Sequence, residues 1–148
     1  MKQEDKELLL KDLCARLPYG VKINESIQGD FTVIGLTTER VFTTCETEGC
    51  HNDFPIECIK PYLFPISSMS NEQREELNKK FNVQLLGNTI YSIHYHSSGY
   101  WDNDLELDLQ DWLWFINWCY KNHFDINNLI EKGLAINATG LNVYKITS

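Results

Sequence analysis

The 148 residues carry 13 Lys plus Arg against 21 Asp plus Glu, a formal net charge of −8, with 43% hydrophobic and 23% charged residues. This is the balance of one ordinary globular domain, and its acidity disfavours nonspecific binding to nucleic acid or anionic lipid, both polyanions. No stretch approaches a membrane span, the opening MKQEDKELLL has acids where an export signal has cations, and five cysteines without such a signal read as reduced thiols. The expectation is a cytoplasmic protein.

Residues 3–17 have helical spacing, with Leu9, Leu10, Leu13, Cys14 and Leu17 recurring on one face and Lys2, Glu4, Lys6 and Lys11 left for solvent. Pro18-Tyr19-Gly20 ends that helix. The period then shortens. Residues 21–23, 31–36, 41–45 and 54–59 are short β-branched or aromatic runs separated by polar turns, the pattern of an antiparallel meander. So short a sheet must bend or close to hide its edges, which predicts an SH3-like barrel or strongly bent sheet. Residues 61–65, with prolines at both ends, are expected to be an extended connector lying across it, because proline lacks the N–H a central strand needs.

Ser70 with Gln73 forms a capping box for a helix over 71–80. Residues 83–85 and 89–95 are strand candidates, 97–99 a loop, and 102–108 an extended segment. The stretch 109–135 is the most apolar and aromatic of the chain. On a helical wheel Leu109, Trp112, Leu113, Ile116, Cys119 and Tyr120 fall on one side, the expected core face, and Trp114 and Trp118 on the other. Asp125 reads as the N-cap of a second, shorter helix, with Phe124 and Leu129 as its hydrophobic staple and Gly133 as its left-handed stop. This helix pair lacks the basic residues of a DNA-reading unit, with Lys132 set against Glu131 and Asp125. Residues 134–136 and 141–146, joined by Asn137-Ala138-Thr139-Gly140, predict a closing hairpin. The sum is a single α+β domain. Residues 1–69 supply the first helix and small barrel-like sheet, and 70–148 a helical and hairpin portion sharing the core.

Asp12-Leu13-Cys14-Ala15-Arg16-Leu17-Pro18-Tyr19-Gly20-Val21, Ile59-Lys60-Pro61-Tyr62-Leu63-Phe64-Pro65-Ile66-Ser67-Ser68-Met69, Asn122-His123-Phe124-Asp125 and Leu129-Ile130-Glu131-Lys132-Gly133-Leu134-Ala135 together span nearly the whole chain. In these motifs it resembles a family of small uncharacterised proteins from bacteriophages, prophages and mobile elements of gut anaerobic bacteria. The resemblance implies an accessory protein in the cytoplasm of a bacterial host. It implies no activity, cofactor or catalytic residue.

Four groups of residues could carry chemistry. Cys45, Cys50, His51 and Cys58 are a possible Cys3His zinc set, but no close C-x2-C pair is present and incidental thiols are the simpler reading. His94 and His96 share one face of a predicted strand, as two ligands or an acid–base pair would, without an obvious third partner. Ser97 and Ser98 lack the G-x-S-x-G setting of an activated nucleophile. Asp102, Asp104, Glu106 and Asp108 alternate along an extended segment and would present a carboxylate row. Their opening resembles a calcium loop, but Leu107 replaces the turn glycine and Leu113 the bidentate glutamate. Such a row could imitate a nucleic-acid backbone to a basic protein, or simply keep an edge strand soluble.

Tyr100, Trp101, Trp114 and Trp118 flank the row and are candidate anchors for a partner, or core rings. The leading expectation is a non-enzymatic accessory protein that needs no cofactor and binds a host or phage protein, possessing neither nucleic-acid nor membrane affinity, through the acids and these aromatics. The alternatives are a small metal-binding protein or metal-dependent enzyme, and a virion or homo-oligomeric structural protein.

Overall fold

The computed structural model describes residues 1–44, 51–81 and 109–144. The predictions for 83–85, 89–95, 97–99 and 102–108 lie outside them. Helix α1 (Gln3–Arg16) opens on Glu4 and Asp5 and closes on Arg16, a charge order that complements the helix dipole. Its buried stripe is Leu9, Asp12, Leu13 and Arg16. The stripe predicted from the leucines is thus rotated: Leu9 and Leu13 face inward as expected, Cys14 is exposed, and an acid and a base complete the buried face. A 3-10 turn (Leu17–Tyr19) follows, and Gly20 at φ +67° takes the left-handed conformation that turns the chain into the sheet.

Strands β1 (Lys22–Glu25), β2 (Gly29–Leu36), β3 (Arg40–Thr44) and β4 (His51–Pro55) form the expected antiparallel meander. Burial alternates along them, placing Ile23, Phe31, Val33, Val41 and Phe54 beneath α1. In the turn after β1, the buried Glu25 carboxylate accepts from the N–H groups of Ile27 (3.0 Å) and Gln28 (2.7 Å). A bulge between Val33 and Gly35 shifts the β2–β3 register and bends the sheet.

Three expectations are corrected beyond β4. The single strand expected over 54–59 is broken by a 3-10 turn (Ile56–Cys58), and the chain re-enters the sheet as β5 (Ile59–Leu63). The proline segment is therefore strand and not connector: Pro61 pairs with Ile23 inside β5. The sheet tolerates it because the other neighbour, β6 (Ile136–Asn137), meets β5 only from Tyr62 onward, so the missing N–H interrupts no ladder on that side. Strand β6 runs parallel to β5, and residues 141–144 form turns, so the closing hairpin is absent from the described residues. The strand order is β4-β3-β2-β1-β5-β6. It is a mixed six-stranded sheet, and no pairing joins its two ends among the described residues.

Helix α2 (Asn71–Phe81) begins with the predicted capping box: Gln73 N–H donates to Ser70 Oγ (3.2 Å) and Ser70 N–H to Gln73 Oε1 (2.9 Å). Helix α3 (Leu109–Lys121) buries Phe115, Trp118 and Cys119. Leu109 and Leu113, assigned to the core by the wheel, are 71% and 46% exposed, while Trp118, assigned to the opposite face, is 5% exposed. The wheel counted apolarity, but the neighbouring core is aromatic. Phe115, Trp118 and Phe124 stack with centroids 5.6–6.4 Å apart, alongside Met69 and Leu77. No helix of the described residues is long and apolar enough to cross a membrane.

The second helix is corrected as well. Residues 125–132 are irregular, with bends at 126–127 and turns at 129–132, because Asn128 at φ +58° stops helix propagation. Asp125 still caps, four and five residues on: its carboxylate accepts from the N–H groups of Leu129 and Ile130, each at 2.9 Å. Gly133 is left-handed, as its position after the apolar run predicted. The whole is one small α+β domain with an aliphatic cluster between α1 and the sheet and an aromatic cluster between α2 and α3.

Candidate functional site

A cluster of buried polar groups lies where α1, the end of α3 and the following turn meet. Arg16, fully buried, donates from Nε to Asp12 Oδ2 (2.7 Å) and from Nη2 to Asp12 Oδ1 (3.0 Å) and to the carbonyl of Phe124 (2.6 Å). Asn127 Nδ2 donates to the same Asp12 Oδ1 at 2.9 Å, and the Tyr120 ring lies 4.9 Å from the guanidinium carbon. The spacing i, i+4 on α1 makes the bidentate pair possible, and the turn after α3 supplies the remaining acceptor and donor.

Cys119 and His123 border this pair and have the residue types of a nucleophile and its base. Their surroundings work against both roles. Burial pushes the Cys119 thiol up to about 12, against the opposing pull of Arg16, so thiolate is scarce at neutral pH. Burial, assisted by the Arg16 charge, pushes His123 down to about 4 and keeps it neutral. His123 sits at φ +61°, its Nδ1 has no partner, and its ring stacks on Tyr144 with centroids 3.7 Å apart. Tyr144 donates to the carbonyl of Tyr62 (2.7 Å) and accepts from the N–H of Lys22 (3.0 Å). Tyr62 in turn donates to Asp30 Oδ1 (2.7 Å), and burial, then Asp30, pushes its phenol up to about 12. The network joins both ends of the chain to the sheet.

The accessible chemistry lies on the other side of α3. Tyr19, Glu76, Trp114, Asn117, Trp118 and Lys121 line an open cleft of about 300 Å³. Trp114 and Trp118 stack at 6.3 Å with 19° between their planes, and the Lys80 ammonium lies 5.2 Å from the Trp114 centroid. Leu109 and Leu113 are exposed one turn apart at the start of the same helix.

Of the residues singled out from the sequence, the structure brings Trp114 and Trp118 together, one half-buried and the other buried. Burial corrects the expectation that Trp118 could serve as an exposed anchor: it is a core ring on which Trp114 stacks. His51 is exposed at the start of β4, and Cys58 is an exposed free thiol in the turn after it. Tyr100, Trp101, Asp102, Asp104, Glu106, Asp108, His94, His96, Cys45 and Cys50 lie outside the described residues. Among the described residues no group of three or more His, Cys, Asp or Glu side chains could hold a metal ion. The sequence reading missed Asp12, Arg16, His123 and Tyr144. An acid and a base four apart inside an apolar stripe was a usable signal for the first two, whereas nothing local marks the others. Comparison with protein-family models, curated proteins and solved structures finds no match.

Proposed function

We propose that this chain is a non-enzymatic accessory protein of a phage or mobile element that binds a basic surface of a host or phage protein and blocks it. The observation that carries the reading is the exposure of Leu109 (71%) and Leu113 (46%) on α3, an apolar pair one turn apart beside half-buried Trp114. Immediately before Leu109 the sequence has Asp102, Asp104, Glu106 and Asp108, in a chain of net charge −8. Apolar contact supplies affinity in such a pairing, and the acids supply steering towards a basic partner. The burial of Cys119 and His123 supports a binding role over a catalytic one.

The test is affinity capture from host lysate with three baits: the native protein, Asp104→Asn/Glu106→Gln/Asp108→Asn, and Leu109→Ser/Leu113→Ser. The expected result is one enriched protein with a basic surface, lost with both variants, whose capture weakens steeply with salt. Capture unchanged by both variants would remove this reading. No capture, together with concentration-dependent self-association, would replace it with a homo-oligomeric structural role.

A further inference from the structure

After β6 the chain makes a short exposed loop and returns with one ring. Ala138 is fully buried and its N–H donates to the carbonyl of Leu63 (2.8 Å), whereas Thr139, Gly140, Leu141 and Asn142 are all exposed. Gly140 at φ +80° and Asn142 at φ +55° turn the chain back, and Leu141 N–H donates to the carbonyl of Ala138 (3.0 Å). Tyr144 then docks. Its ring lies 3.7 Å from that of His123, with 11° between the planes, and 5.9 Å from that of Phe64. Its hydroxyl holds the sheet through the Tyr62 carbonyl and the Lys22 N–H. His123 itself is fixed, because its carbonyl accepts from the N–H of Phe64 (2.8 Å), so of the two stacked rings Tyr144 is the one carried on an exposed loop.

Tyr144 covers a group that gains charge in mild acid. A ring 3.7 Å away leaves no room for water on that face of the imidazole, and His123 is only 9% exposed in all. The charge that acts on it is Arg16 of α1. Asp12 is engaged by Arg16 and Asn127, and the Asp125 carboxylate by the N–H groups of Leu129 and Ile130. Burial keeps the Cys119 thiol of α3 and the Tyr62 and Tyr144 phenols protonated, so none of them offers a countercharge. In an imidazolium both ring nitrogens carry hydrogen, and Nδ1 has no acceptor among the described residues. The capped ring therefore disfavours a proton that the same ring would take once water reached it. We propose that residues 139–144 are an acid-released flap: Tyr144 caps His123 at neutral pH and lifts away when His123 takes up a proton. The hinge lies at Gly140 to Asn142, beyond the Ala138–Leu63 bond, so β6 stays paired with β5 while the flap opens. Closed, His123 is pushed down to about 4; open, it returns to its ordinary 6.5. The opening constant accordingly rises about tenfold per pH unit below 6.5 and levels off near pH 4.

Hydrogen exchange of single backbone amides in the intact protein, corrected for the intrinsic rate at each pH, reads this opening directly. Lys22 N–H reports the flap, because its acceptor is the Tyr144 hydroxyl. Val33 N–H, bonded to the carbonyl of Val21 at 3.0 Å in the core beneath α1, reports unfolding of the whole domain. Lys22 is expected to be less protected than Val33 throughout, and its protection to fall about 30-fold from about pH 7.5 to about pH 5. His123→Asn is expected to abolish most of that fall. Tyr144→Ala gives a second test, read in the NMR titration of the His123 imidazole itself, which is expected to move from about 4 towards 6.5 once the cap is gone. Equal protection of Lys22 and Val33, a fall at Lys22 that persists in His123→Asn, or a His123 titration unmoved by Tyr144→Ala would overturn the proposal.

Discussion

The meander with α1 and the cluster around α3 are neighbours in one small domain, yet they are held by different interactions. Beneath α1 the core is mostly aliphatic, with Leu9, Leu13, Val21, Ile23, Ile56 and Ile59 each at most 1% exposed, and successive strands pair with their sequence neighbours. Around α3 the core is a chain of stacked rings, Phe115, Trp118 and Phe124, and its border holds ionic and titratable groups that reach α1. Aliphatic burial is non-directional and tolerates small shifts, whereas a buried bidentate pair and stacked rings fix one arrangement. The helical half therefore depends on individual residues more sharply than the sheet does.

Three measurements sharpen or break this contrast. The largest expected effect is at the ion pair. Arg16→Met leaves the Asp12 carboxylate buried without an opposite charge, held by Asn127 alone, and is expected to cost about 3–5 kcal/mol in urea unfolding. Arg16→Met combined with Asp12→Leu is expected to recover much of that loss. A cost under about 1 kcal/mol for the single variant would show that the pair is solvated and the contrast wrong.

Next is the face of α3. Trp118→Ala is expected to cost about 3–5 kcal/mol, and Leu113→Ala under about 1, because only the first empties a packed core. Equal costs in chemical unfolding would mean that α3 packs through the face the helical wheel selected.

The third effect is acid sensitivity. His123 is pushed from 6.5 in the unfolded chain down to about 4 when folded, so on acidification the unfolded state binds its proton first. Stability from this group is intact above about pH 6.5 and falls between there and pH 4, by about 3 kcal/mol in all. Below that the folded form protonates too and the loss levels off. His123→Asn keeps a residue tolerant of the left-handed backbone and removes the titration, so its stability is expected to fall less steeply over that window. Identical slopes for native and variant protein would show that His123 is not buried neutral.

The same contrast separates what was legible in the sequence from what was not. The short β-branched and aromatic runs of β1 to β4, the capping box at Ser70 and Gln73, and the left-handed Gly133 were readable because each is set by residues within a few positions of one another. The proline strand was misread because Pro61 is acceptable only where a neighbour starts one residue later, and that neighbour is β6, more than seventy positions on in the sequence. For the candidate cleft, the sequence marked Trp114 and Trp118. It could not bring Glu76 or Tyr19 to them, since no local spacing relates α1, α2 and α3.

By itself, then, the sequence determined the acidic balance, the α+β class, the meander and the first two helices, because periodicity and turn chemistry act over short distances. Tertiary structure alone decided which face of α3 is core, that residues 125–132 turn without becoming a helix, and that β6 joins β5 in parallel. Each of those outcomes follows from partners far apart in the chain: aromatic packing selects the face, Asp12 and Arg16 hold the turn through Asn127 and Phe124, and the open edge of β5 supplies the pairing.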